Sequence, residues 1–151
     1  MQLEPTEIIA RLVTAAVAGA VLGVNRNLHR KPAGLRTHAL VTLGSAMMVI
    51  AVRSATDAGS DALSRVLQGV VTGIGFVGAG VIMHYDAEHR VEGLTTAASV
   101  WVAATLGVAC ALAEWLLVGV GLFLALLVLV LGGPLEHALE RLLRDDEAQP
   151  K

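Results

Sequence analysis

The sequence predicts an all-α protein, a polytopic membrane bundle of about five transmembrane helices. Three observations carry that prediction. Hydrophobic residues make up 55% of the 151-residue chain and charged residues 16%, too little polar surface for a domain of this size to stay dissolved. The apolar residues gather into five long runs, and a helix needs about 20 mostly apolar residues to cross the hydrocarbon core. Those runs do not alternate with polar residues, as the strands of a membrane barrel would, and lipid offers no partners for an open sheet edge.

The spans are expected, in order, at residues 6–24, 35–52, 66–83, 93–113 and 115–135. The first carries Arg11 near its outer end. The second is short, the fourth holds no charge, and the fifth closes on Gly132, Gly133 and Pro134. Residues 1–135 therefore read as a transmembrane domain and residues 136–151 as a short charged tail. Glu4 and Glu7 stand where a signal peptide carries basic residues, so no cleaved leader is expected. Cys110 is the one cysteine, which rules out an internal disulfide.

Lysine and arginine set the orientation. Arg26, Arg30, Lys31, Arg36, Arg90, Arg141, Arg144 and Lys151 fall on one side, and Arg11, Arg53 and Arg65 on the other. The N-terminus is thus expected outside and the C-terminus in the cytoplasm. A net charge of −2 and 3% aromatics give no basic stripe for nucleic acid. No HExxH, Walker sequence, cysteine-rich cluster or nucleophile elbow is present, so neither an enzyme nor a bound cofactor is expected.

The run Gly73-Ile74-Gly75-Phe76-Val77-Gly78 matches the GxGxxG dinucleotide fingerprint. That fingerprint needs a strand before it and a long helix after it, whereas these glycines lie inside one continuous apolar stretch. Helical spacing instead puts Gly69, Gly73 and Gly80 on one narrow face and Gly75 and Gly78 near the opposite one. Small residues let helix backbones approach closely in lipid. Two such faces predict a third helix at the centre of the bundle. On the fourth span Thr95, Ser99, Ala103 and Gly107 recur every four residues as a smooth face, and Thr96 adds a hydroxyl. Trp101 lies about eight residues deep, where its indole N–H is expected to find a partner within the bundle.

The polar candidates sit near the span ends. Asn25 and Arg26 close the first span, and Arg36, Thr37 and His38 open the second. Ionisable groups at that depth pair or face a wet cavity. Arg30 and Lys31 fit a basic loop facing anionic headgroups. At the other side Asp61, Arg65 and Gln68 share a helical face, with Asp61 and Arg65 spaced to pair. Asp57 and Asp61 alone are too few oxygen ligands to assign a metal.

Three stretches, taken together, resemble the signature blocks of the MgtC/SapB membrane proteins. They are Lys31-Pro32-Ala33-Gly34-Leu35-Arg36-Thr37-His38 with Leu40-Val41, then Gly73-Ile74-Gly75-Phe76-Val77-Gly78-Ala79-Gly80 preceded by Asp61, Arg65 and Gln68, and Gly93-Leu94-Thr95-Thr96-Ala97-Ala98 followed by Trp101 and Ala104. The blocks keep the family's order and spacing across most of the chain. The resemblance implies a bacterial inner-membrane protein linked to growth in low magnesium, to survival inside host cells and to acid resistance. It also implies the rotary ATP synthase as a membrane partner. Asn25 and Asn27 stand where the family often has glutamates, and Glu92 where a basic residue is common. With a short tail after Pro134, a short form lacking the soluble C-terminal domain of longer members is expected.

Two functions are expected to compete. One is a non-enzymatic regulator of magnesium homeostasis or stress and virulence adaptation, acting through helix–helix contacts. The other is a channel or carrier for Mg²⁺, K⁺ or H⁺. A carrier favours polar groups near the midplane, where this chain offers only hydroxyls. A small bundle with surplus small-residue surface is also expected to self-associate.

Overall fold

In the computed structural model, residues 3–55, 60–82 and 92–147 are described. They form five helices: α1 Pro5–Leu28, α2 Leu35–Ala55, α3 Ser60–Ile82, α4 Leu94–Leu112 and α5 Trp115–Glu147. All five are long and apolar enough to cross a membrane, and no strand occurs among the described residues.

Local chemistry sets the helix ends. Pro5 occupies the first turn of α1, where a missing N–H costs nothing. Arg30 and Ala33 take left-handed backbone between α1 and α2, and the Lys31 N–H reaches back to the Arg26 carbonyl at 3.0 Å. Ala113 makes the same left-handed turn between α4 and α5, with the Glu114 N–H donating to the Ala109 carbonyl at 3.0 Å. These back-bonds satisfy carbonyls that a helix end would otherwise leave open.

The centre of the bundle is α4, not α3. It touches all four other helices, and 56% of its apolar window is buried, against 6% for α3. Composition explains the exchange. Ser99, Ala103, Ala104, Gly107, Ala109 and Ala111 keep α4 slim enough to be surrounded. The core between α1, α2 and α4 is correspondingly small-chained, built on Ala15, Ala18, Ala46, Val49 and Cys110.

The tightest approach between helices is around Thr42 of α2. A Cβ on Gly19 would strike the Thr42 side chain and the His38 carbonyl, and one on Gly107 would strike the Thr42 backbone. A Cβ on Gly23 would meet the Leu35 backbone at 2.5 Å. Three glycines from α1 and α4 thus seat the first two turns of α2. On α3, by contrast, a Cβ on Gly69, Gly73, Gly75 or Gly80 would meet nothing within 4 Å. Only Gly78 faces a neighbour, the Ala97 methyl at 3.5 Å. The expected two-sided packing of α3 is therefore absent among the described residues, where α3 lies at the periphery against α4 and α2.

The last helix runs beyond the end expected near residue 135. It passes through Pro134 and continues to Glu147, 33 residues in all. At 1.5 Å per residue that is about 50 Å, longer than a hydrocarbon core of about 30 Å. Leu135, Leu139, Leu142 and Leu143 in the extension are exposed.

Candidate functional site

Among the described residues, one buried polar cluster has members from three helices, and it lies at the end of the bundle that holds the α1–α2 turn. Arg26 from α1, His38 from α2, and Thr96 and Ser99 from α4 meet there, each at most 5% exposed. Arg26 donates from its terminal nitrogen to Thr96 Oγ1 at 2.5 Å. Ser99 Oγ donates to the Thr96 carbonyl at 2.8 Å, and His38 Nε2 lies 3.1 Å from Ser99 Oγ. His38 Nδ1 lies 2.9 Å from the Gly34 carbonyl.

Elementary bonding fixes the histidine tautomer. A carbonyl only accepts, so Nδ1 carries a proton. In the neutral ring Nε2 is then an acceptor, and it takes the Ser99 proton only if Ser99 releases the Thr96 carbonyl. One hydroxyl proton thus serves two acceptors on two helices. Thr42, fully buried, returns its hydroxyl to the carbonyls of His38 and Ala39 at 3.1 and 2.9 Å. With its proton turned back into its own helix, its hydroxyl oxygen and methyl face Gly19 and its backbone faces Gly107.

Other expected candidates are placed apart from this cluster. Asn25 is half-buried, and its carbonyl accepts from His29 Nδ1 at 2.7 Å. Arg36 is exposed and Thr37 half-buried at the start of α2. Thr95 is exposed, whereas Ser99, Ala103 and Gly107 are buried, so the expected smooth face of α4 starts one turn later. Asp61, Arg65 and Gln68 are exposed at the start of α3. They are separated from His38 by the length of α2, about 30 Å. No ion pair joins Asp61 to Arg65 among the described residues, where the pair observed is Arg11 with Glu7.

Trp101 differs from expectation. It is 46% exposed and lines an apolar groove of about 300 Å³ with Leu67, Val70 and Ile74 of α3 and Val108 of α4. No indole hydrogen bond is seen among the described residues. The buried face of α4 is already filled by Thr96, Ser99, Val100 and Ala103, which turns position 101 outward.

Sequence reading noted Arg11 only as a charge near a span end. The structure buries it to 7% exposure and sends its guanidinium to the Ala111 carbonyl at 2.6 Å, at the C-terminus of α4. A second nitrogen reaches Glu7 at 3.3 Å. Sequence reading also passed over Gly19 and Gly23, whose four-residue spacing was the available signal, and Thr42, four residues after His38. Asp57, within the proposed outer loop, lies outside the described residues. Among the described residues no three His, Cys, Asp or Glu side chains are grouped to hold a metal ion.

A sequence model of the MgtC family matches residues 12–138. Protein SrpB of Synechococcus elongatus is 43% identical over 129 residues, covering 79% of this chain and 71% of its own. YhiD of Escherichia coli strain K12, whose name refers to a magnesium transporter, is 44% identical over 108 residues, 67% of this chain and 49% of its own. Protein MgtC of Salmonella typhimurium strain LT2 is 40% identical over 107 residues, 71% of this chain and 44% of its own. The chain thus spans about half the length of YhiD and MgtC. No solved structure matches it.

Proposed function

The chain belongs to the MgtC family, and from that premise we propose that it is a non-enzymatic regulator of magnesium homeostasis and stress adaptation in a bacterial inner membrane. It acts by pressing an open helix face against a membrane partner, for which the resemblance offers the rotary ATP synthase. The N-terminus lies outside and the C-terminus in the cytoplasm, on the side of most lysines and arginines.

One observation carries this reading. The Gly69, Gly73 and Gly80 face of α3 has nothing within 4 Å of where its side chains would be. Glycine in a helix interior costs about 0.5–1 kcal/mol relative to alanine. Three on one open face, in a helix that otherwise carries bulky valines and isoleucines, support a docking surface for another backbone. The interior argues against the channel reading for a single chain. Leu22, Ala15, Ala46, Val49, Ala103 and Cys110 close it with fully buried apolar side chains.

The test is recovery of partners from native membranes in mild detergent, comparing wild type with Gly73→Leu. The open space on α3 leaves the variant folded. Loss of a specific membrane protein from the variant's eluate is the expected result. Recovery of only self-associated chains in both would remove the hetero-partner. Flux of Mg²⁺, K⁺ or H⁺ into proteoliposomes above empty vesicles would favour the channel instead.

A further inference from the structure

Arg26 is an ionised side chain with 5% exposure and a thin set of partners. A guanidinium carries five N–H donors. One of them reaches the neutral Thr96 hydroxyl, and Nε is fully buried with no partner among the described residues. No carboxylate pairs with it among the described residues, where the ion pair seen is Arg11 with Glu7. The negative end of the α1 dipole offsets part of the charge. A buried cation with one neutral partner among the described residues is still far from satisfied by them.

Among the described residues its partner is Thr96, which lies beside a second set of donors without a described partner. Thr96 is the third residue of α4, and the first intrahelical bond of that helix runs from the Ala97 N–H to the Gly93 carbonyl at 2.8 Å. The N–H groups of Leu94, Thr95 and Thr96 precede that bond, and Gly93 gives them no side-chain cap. Such a helix start attracts anions through both its free N–H groups and its dipole. Arg30, Lys31 and Arg36 stand exposed at the same end of the bundle. Glu92, also exposed, is the opposing charge next to Gly93.

We propose that the first turn of α4 and Arg26 together form a binding site for a phosphate-class oxyanion at the bundle end that holds the α1–α2 turn. The anion accepts from the orphan N–H groups and the Thr95 hydroxyl, and it supplies the charge that Arg26 lacks. Phosphate chemistry is shared by lipid headgroups and by free phosphate, and either source meets the requirement. This assignment is independent of the docking face on α3.

The experiment uses the full chain in a phosphate-free maltoside detergent and follows thermal unfolding. One arm adds inorganic phosphate against chloride at equal ionic strength. The other adds phosphatidylglycerol to the micelles and omits inorganic phosphate. A ligand that binds only the folded state raises Tm in a saturable way. Wild type should gain several degrees in at least one arm, and the responding arm names the source. Arg26→Gln should lose the gain. Thr95→Asp should lose it too, because a carboxylate at the helix start takes the anion's place. Thr95→Asp also suits the dipole, so it folds even where Arg26→Gln does not. No rise in either arm, or a rise that survives either substitution, overturns the site.

Discussion

His38 Nε2 sits 3.1 Å from Ser99 Oγ, joining α2 to α4 through one shared proton. The other ring nitrogen holds the Gly34 carbonyl, so the imidazole ties the start of α2 to the bundle's central helix. His38→Gln places an amide near the Nε2 position and keeps the Ser99 contact, whereas His38→Asn keeps only the Gly34 contact. His38→Ala loses both contacts, although Ser99 keeps the Thr96 carbonyl, and two lost hydrogen bonds cost about 1–3 kcal/mol. Unfolding of the purified variants in detergent should rank Ala as least stable. Equal stability for all three would remove the ring's bridging role.

The glycines of this chain should divide into two classes. Gly19→Ala and Gly107→Ala push a methyl into the Thr42 turn, and overpacking of this kind costs about 1–3 kcal/mol. Gly69→Ala and Gly73→Ala meet open space and gain up to about 1 kcal/mol of helix propensity. The same unfolding assay checks all four. A large loss at Gly73 in the isolated chain would contradict the peripheral placement of α3.

Arg11 should matter far more than its ion pair. The Glu7 side chain is 54% exposed, so Glu7→Gln changes stability by about 0–1 kcal/mol. Arg11→Ala strips the Ala111 carbonyl of a charged donor 100 residues away and costs about 1.5–3 kcal/mol. Amide hydrogen exchange should show the loosening at the α4–α5 turn, far in sequence from the substitution.

Two left-handed positions predict opposite signs. Ala113 sits at φ 61°, where a side chain costs about 1–2 kcal/mol, so Ala113→Gly should raise the midpoint of thermal unfolding. Gly93 sits at φ 95°, and a Cβ there would lie 2.6 Å from the Val81 carbonyl. Gly93→Ala should lower the midpoint and distort the first turn of α4.

Much of the architecture was legible because spanning length is a local property. Five apolar runs of about 20 residues can be counted without knowing their neighbours. The α4–α5 turn was placed to within a residue, since Glu114 interrupts the apolar run there. Part of the polar cluster was legible too. Arg26 and His38 are costly to leave in lipid unpaired, which marked both as candidates, while Thr96 and Ser99 stood out as hydroxyls on a small-residue helix. Their pairing was not legible, because partners 61 and 70 residues apart carry no shared spacing.

The order of packing was the hardest to read, for a reason specific to membranes. In water the apolar stripe of a helix points inward, so the sequence names the buried face. In lipid both faces are apolar, and only fine differences in side-chain size distinguish a neighbour from the solvent. Small residues appear on α3 and α4 alike, and the sequence alone could not say which helix the others would surround. What it determined by itself was the number, length and chemistry of the helices. The tertiary structure decided that α4 is central, that Gly19, Gly23 and Gly107 clasp α2, and that Trp101 turns outward, because those outcomes depend on which backbones come within van der Waals reach of one another.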